Sequence, residues 1–457
     1  MTMGFRSAIS SKSNTIRMRR LLVIVLVFLQ VLGSSVLAED EESSSADTGY
    51  LYDNRPAIID YHPVTDHAKD DEPDFLYSKA MGPRVVEFYA PWCPHCRHAR
   101  DMMVAVAEQL AELTKDLDQP VKFYGISCTE NKMLCRKFHI GGYPTIKLFA
   151  AGDVVNATDS MKYWEVHAFE VLQRLGVHVD KLALEDPSVM DKEVVASKET
   201  RVTTFRRRSR VDIYNDAHLS FDFALRNAVF LTNDPLSNST KTALHDWLKL
   251  LKRTLPPTWN VQKVVHDLLT DFDEKVATEE AFVAVLDRYP MSISQWSKGC
   301  SYTCGLWELF HIVTVGAVEW NLMIVDGDWE LYQGVAAAAE TLRNYIENFF
   351  ACDVCRVNFL HAYDACRFDR CHRLHDSAET REQWMELPLW LFETHNSVNV
   401  RLMKEAAERE HRSPTHQDEI DKHWPPLEYC PSCWREDQAW DTENVYKYLR
   451  LIYWYVL

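Results

Sequence analysis

The sequence predicts a multidomain protein in which one α/β unit is followed by two all-α regions. Three observations predict it. Apolar runs alternate with helical stretches between residues 63 and 185. From about 190 onward the β pattern vanishes and apolar residues recur at i, i+3, i+4. The 12 cysteines fall as six local pairs, at 93/96, 128/135, 300/304, 352/355, 366/371 and 430/433, three of them C-x-x-C. With 47% hydrophobic and 26% charged residues, the 457-residue chain is not collagenous, disordered or multi-spanning. A net charge of −17 argues against nucleic acid and anionic membrane as main partners.

The elements follow in chain order. Arg6, Lys12, Arg17, Arg19 and Arg20 precede an apolar run over 21–32, which ends in the small-residue pattern Val36-Leu37-Ala38. The run is too short to span a bilayer, which takes roughly 20 residues, so residues 1–38 read as a signal peptide rather than an anchor. Cleavage removes five cations, takes the charge to −22 and leaves no transmembrane helix. The expected location is the lumen of the secretory pathway (endoplasmic reticulum or Golgi) or the extracellular space. There Asn156-Ala-Thr158 and Asn238-Ser-Thr240 would be glycosylation sites. An oxidising lumen favours disulfides over thiols or zinc. Residues 39–62, acidic and Ser-rich at their start, read as a flexible tail.

Within 63–185, strands are expected at 84–89, 121–127 and 145–149, with a helix running from the Cys93-Pro94-His95-Cys96 motif to about 117. Residues 186–292 form a helix-rich spacer without cysteine, with helices over 216–231, 241–252 and 261–272 and a break at Pro256-Pro257. Residues 293–457 continue as helices over 304–325, 329–351, 353–363, 381–410 and 437–455, rich in Trp and His.

The first chemical site is Cys93/Cys96. A C-x-x-C that follows a strand and opens a helix puts its first sulfur at the helix N-terminus, where partial positive charge favours the thiolate. Cys93 is therefore expected to be the exposed sulfur that meets substrate, and Cys96 to resolve the mixed disulfide. The run Val85-Val-Glu-Phe-Tyr-Ala-Pro-Trp-Cys-Pro-His-Cys96, with Gly142-Tyr-Pro-Thr145, resembles a thioredoxin domain of the protein disulfide isomerase type. The resemblance implies a cis peptide before Pro144 against the active disulfide and a buried Glu87 that assists proton transfer. Strand alternation alone also allows Glu87 to be a surface acid. Pro94-His95 resembles strongly oxidising members of that family, in which a His cation beside the sulfurs stabilises the reduced pair. Cys128 and Cys135 resemble its second, structural disulfide.

The second site lies in the C-terminal region. Trp307 and His311 are i, i+4 on one helix face, as are His395 and Asn399; an aromatic face with convergent donors suits a planar cofactor. In order, Cys304-Gly-Leu-Trp307-Glu-Leu-Phe-His311, Cys352-Asp-Val-Cys355, 389–402 and Trp424-Pro-Pro resemble the Erv/ALR-type FAD sulfhydryl oxidase domain. Fused behind a single thioredoxin domain, it resembles the quiescin sulfhydryl oxidase family in its shorter plant and protist form. The resemblance implies FAD, with Cys355 next to the flavin and Cys352 facing the thioredoxin disulfide. It assigns cofactor contacts to Trp307, His311, Asn358, Phe392, His395, Asn396, Val398, Asn399, Lys422 and Trp424. The chain departs from the family pattern at Asn358 (commonly His), at Phe392 (commonly Trp), at Lys422 (one residue later than usual), and upstream of Cys304, where Lys298 replaces an Arg. Cys300–Cys304, Cys366–Cys371 and Cys430–Cys433 are then structural, the last with an auxiliary role. A four-thiolate zinc set of Cys352, Cys355, Cys366 and Cys371 is the alternative that the flavin motifs disfavour. The basic run over 206–210 reads as a solvated loop in preference to a processing site, and the aromatic tail as a last helix.

The resemblance implies an FAD-dependent thiol oxidase that introduces disulfides into reduced protein or peptide thiols. Electrons would pass from Cys93/Cys96 to Cys352/Cys355, to FAD, and to dioxygen with release of hydrogen peroxide. No metal and no nucleic acid are expected, and by analogy the chain is a monomer with an internal pseudo-dimer. The alternatives are an isomerase-like oxidant and a luminal chaperone, both without flavin turnover.

Overall fold

The computed structural model of the protein describes residues 49–63, 73–154, 159–179, 208–324, 332–409 and 412–454. The expected signal peptide, the sequon at Asn156, Arg206 and Arg207, and the boundary at 185/186 lie outside the described residues. Residues 58–161 build a five-stranded sheet of order β1-β3-β2-β4-β5. β1 (Ile58–Asp60), β2 (Arg84–Tyr89) and β3 (Lys122–Ser127) are parallel; β4 (Thr145–Phe149) pairs antiparallel with β2 on one side and with β5 (Asp159–Met161) on the other. Every residue of β2 is buried, as expected of a central strand covered on both faces. Around the sheet lie α1 (Asp74–Tyr77), α2 (Pro94–Thr114), α3 (Lys132–Lys137) and α4 (Ala168–Leu175), with α2 and α4 packed on it and on each other.

The flexible tail expected over 39–62 is corrected in its second half. From Gly49 the chain belongs to the fold: Tyr52 is buried, and β1 pairs with β3 through Ile58 opposite Phe123. The acidic, Ser-rich composition ends near residue 48, while Leu51, Tyr52 and Ile58 supply apolar surface to bury.

The spacer folds as α5 (Arg210–Asn227), α6 (Asn238–Thr254), α7 (Val261–Leu269), α8 (Phe272–Lys275) and α9 (Glu279–Leu286). The helix expected over 261–272 is broken, because Asp271 takes a left-handed conformation between α7 and α8. The C-terminal region follows as α10 (Tyr302–Met323), α11 (Val335–Phe349), α12 (Asp353–Asp364), α13 (Arg370–Arg373), α14 (Arg381–Arg409), α15 (His416–Lys422) and α16 (Thr442–Tyr453). α10 is apolar nearly all round and is packed by α5, α6, α14 and α16, the expected place for such a helix. Its Gly316 is required by that crossing, since a Cβ there would lie 1.7 Å from the Thr254 carbonyl oxygen of α6. Trp247 of α6, fully buried, stacks on Tyr345 of α11 with centroids 4.3 Å apart, so spacer and C-terminal helices share one core. No helix among the described residues is long and apolar enough to cross a membrane.

The sheet unit is joined to the helices at defined points. Arg136 of α3 donates to the Phe230 carbonyl (2.5 Å) and to Glu279 (2.6 Å), and Lys132 donates to the Arg226 carbonyl (2.6 Å). Trp92, just before the C-x-x-C, meets Tyr302 of α10 edge-on at 4.6 Å.

Candidate active site

β2 ends at Tyr89, and four residues later Cys93 is the N-cap of α2, with Pro94 at the first helical position. Proline is suited there, because its missing N–H has no intrahelical partner to lose. Cys93 and Cys96 are free thiols, and the other ten cysteines form five disulfides between sequence neighbours. The four-thiolate zinc alternative is not built: Cys352 bonds Cys355, and Cys366 bonds Cys371.

The two C-x-x-C motifs meet. The Tyr143–Pro144 peptide is cis, and Tyr143 pairs through its backbone with the segment carrying Cys352. The Tyr143 N–H donates to the Ala351 carbonyl (2.7 Å), and the Asp353 N–H donates to the Tyr143 carbonyl (3.2 Å). The Cys93 sulfur, a ring nitrogen of His95 and the Cys352 sulfur all lie within 4.8 Å of one another. Arg356 of α12 donates to the Gly141 carbonyl (3.2 Å) and to Asp353 (2.7 Å), and Lys162 reaches the other oxygen of Asp353 at 3.4 Å. Gly142 is needed for this approach, since a Cβ there would stand 2.9 Å from that of Asp353.

This contact corrects one expectation. Cys93 was expected to be exposed, yet it is fully buried, because the Cys352 segment covers the very edge where an external substrate would lie.

Burial opposes ionisation of Cys93, but hydrogen bonds from the Cys96 thiol and from the backbone N–H groups of Cys96 and His95 outweigh it and lower the pKa. Burial, and then the neighbouring Cys93, push Cys96 well above the ordinary thiol range. The pair is therefore asymmetric, with one nucleophile and one thiol that needs a base. Glu87 is 1% exposed, and burial raises its pKa to about 8 in spite of the hydrogen bond donated by Tyr52. Its second oxygen has no hydrogen-bond partner among the described residues. A carboxyl poised in that range can exchange a proton near neutral pH.

In the helical region, rings from α10, α14 and α16 converge with Trp424. Trp307 stacks on His395 with centroids 4.2 Å apart and planes 2° from parallel. His311 lies 3.1 Å (Nε2 to Nδ1) from His395, and its ring stacks on Tyr453 at 4.9 Å. Trp424 lies 5.7 Å from His311 and 6.3 Å from Phe392. Asn396 clamps Trp424 through both backbone groups, accepting its N–H (2.7 Å) and donating to its carbonyl (2.8 Å). Burial drives His395 down to about 3 and, with His395 beside it, drives His311 well below the usual range, so both imidazoles are neutral. His311 Nδ1 is buried with no hydrogen-bond partner among the described residues. Neutral stacked rings and one unsatisfied ring nitrogen fit a planar heteroaromatic cofactor.

Of the predicted cofactor contacts, Trp307, His311, Phe392, His395, Asn396 and Trp424 come together. Val398 and Asn399 follow on α14, half-buried, and Lys422 closes α15, also half-buried. Asn358 is exposed on α12. Tyr453 was missed as a member of the cluster, because its place depends on α16 returning against α10. The basic run over 206–210 predicts a solvated loop at Arg208. Instead Arg208 forms ion pairs with Asp216 of α5 and Glu308 of α10 and donates to Cys304 (3.3 Å). It approaches α10 from 96 residues away. Asn238 is exposed at the first turn of α6.

Residues 68–166 match the thioredoxin family, and residues 304–425 match the Erv1 / Alr family. Sulfhydryl oxidase 2 of Arabidopsis thaliana is 24% identical over 81% of this chain and 74% of its own length. Sulfhydryl oxidase 1 of Oryza sativa subsp. japonica is 23% identical over 86% of this chain and 78% of its own. The solved sulfhydryl oxidase fragment of human QSOX1 covers 54% of this chain and 95% of its own at 22% identity and a TM-score of 0.40, a likeness too loose to carry an argument.

Proposed function

The chain belongs to the quiescin sulfhydryl oxidases, FAD-linked enzymes that introduce disulfides into thiols, and from that membership we propose the residue-level path its electrons take. A substrate thiolate attacks Cys93 of an oxidised Cys93–Cys96 pair, and a second substrate thiol releases the oxidised product. The domains then dock. Cys93, favoured as the thiolate, attacks Cys352 and frees Cys355, and Cys96 resolves the mixed disulfide after its proton passes to Glu87. Bound FAD would supply the two-electron redox chemistry that links the reduced Cys352/Cys355 pair to dioxygen, with hydrogen peroxide as the product. Trp307, His311, Phe392, His395, Asn396 and Trp424 would hold it, with Asn358, Val398, Asn399 and Lys422 as outlying contacts.

The single observation that carries this reading is the meeting of reduced Cys93/Cys96 with the Cys352–Cys355 disulfide at one buried junction. Because that junction covers Cys93, substrate and Cys352 must take turns, and the docked domains must separate once per cycle. The substrates are protein or peptide dithiols. The further disulfides hold structure, with Cys430–Cys433 auxiliary. The same reading includes a cleaved signal over 1–38, glycans on Asn156 and Asn238, a luminal or secreted location, and a monomer in which the spacer helices stand as a pseudo-partner to the C-terminal ones.

The test is the visible spectrum of the purified protein together with its oxygen uptake on a dithiol substrate. The expected result is a bound flavin, with Cys93→Ser abolishing oxidation of protein dithiols while small dithiols still reduce Cys352–Cys355. A colourless protein that takes up no oxygen would contradict it.

A further inference from the structure

In the exchange proposed above, on which this inference rests, two sulfurs leave in turn. Attack of the Cys93 thiolate on Cys352 forms the Cys93–Cys352 bond, breaks Cys352–Cys355, and leaves the electron pair on Cys355. Attack of Cys96 on Cys93 then forms Cys93–Cys96 and expels Cys352. Exchange is faster the better the leaving thiolate is stabilised, and at a buried junction water cannot supply that stabilisation.

One atom faces both leaving sulfurs. His95 Nδ1 lies 3.3 Å from the Cys352 sulfur and 3.4 Å from the Cys355 sulfur. The ring belongs to the other C-x-x-C, reaches across from the first turn of α2, and is 3% exposed. Its neighbour Tyr163 stands 6.0 Å away, ring to ring. We propose that His95 is a catalytic residue of the interdomain exchange, donating from Nδ1 to Cys355 as that thiolate forms and then to Cys352 as it is expelled. This role is separate from any effect on Cys93, because it acts on the acceptor pair. The step balances. Two electrons move from Cys93/Cys96 to Cys352/Cys355, the Cys96 proton goes to the ionised form of the Glu87 carboxyl, and the proton of the His95 imidazolium goes to Cys352, which leaves a neutral ring. The acceptor pair is left as one thiol and one thiolate.

The experiment is a single anaerobic turnover on the full chain with one equivalent of a protein dithiol, quenched with an alkylating reagent. Mass analysis then reads the two pairs separately. In His95→Ala the Cys93/Cys96 dithiol should accumulate, and its transfer to Cys352–Cys355 should slow by roughly 10²-fold. His95→Asn, whose amide N–H can stand near the place of Nδ1, should recover about tenfold of that loss. The alkylation rate of Cys93 in each variant measures its thiolate character and must change far less than the transfer rate. Transfer at the wild-type rate in His95→Ala overturns the inference, as does a slowing matched by an equal fall in Cys93 alkylation. Persistence of the Cys93/Cys96 dithiol in the wild-type protein overturns the relay itself, and the inference with it.

Discussion

Glu87 shows how one buried group couples chemistry to stability. In the unfolded chain its carboxyl titrates near 4.5; in the fold it does so near 8. Between those values the folded protein holds a proton that the unfolded chain has released. Stability therefore falls as pH rises through that window, by about 1.4 kcal/mol per unit, and is flat outside it. An upper bound on the total is roughly 4–5 kcal/mol. Glu87→Gln removes the slope, so denaturant midpoints compared across pH should show the variant gaining on wild type from about 4.5 up to about 8. The same variant should slow resolution by Cys96, whose own thiol is held protonated. At the other site, His311→Ala takes away the buried ring that links Trp424, His395 and Tyr453. The expected outcome is a protein purified with a fraction of its flavin, read from absorbance per chain, and with a lower melting temperature.

At the scale of elements, α12 and the loop before β4 are shaped for each other. Gly142→Val should leave the thioredoxin sheet folded but block the approach of Asp353. Misplacing reacting groups by an ångström costs roughly 10²-fold in rate, so transfer from Cys93/Cys96 to Cys352–Cys355 should fall by about that much in a quenched turnover. Arg208 ties the start of α5 to α10 by pairing with buried Asp216 and with Glu308. Arg208→Ala leaves two carboxylates at a dry site, and unfolding by denaturant should register a loss of about 3–5 kcal/mol.

Much of this architecture was legible in the sequence because its signals are local. The three strands over 84–89, 121–127 and 145–149, the helix opening at Pro94 and the pairing of neighbouring cysteines follow from runs of a few residues, and the cis bond before Pro144 from the family resemblance that such runs carry. What escaped depends on contacts distant in sequence. Tyr52 and Ile58 looked like part of an acidic tail because only β3 and Glu87 give them a reason to be buried. Arg208 looked like one cation in a basic run because its partners lie 8 and 100 residues away. His95 was legible as a neighbour of Cys93, but nothing in a linear pattern aims its ring at Cys352.

At the scale of the whole molecule, the helices of the spacer and the C-terminal region form one apolar body that presents Cys352–Cys355 at its surface, and the thioredoxin domain docks on that surface through Trp92, Tyr143 and Arg136. In the proposed path the docked arrangement is the transfer state, and Cys93 and Cys352 are the sulfurs that join. In Cys96→Ser combined with Cys355→Ser, Cys93 and Cys352 each lose the partner thiol of their own C-x-x-C. Mild oxidation followed by peptide mass analysis should then find an intramolecular Cys93–Cys352 disulfide within the single chain. Recovery of both cysteines as free thiols, or only as cross-links between chains, would contradict the account.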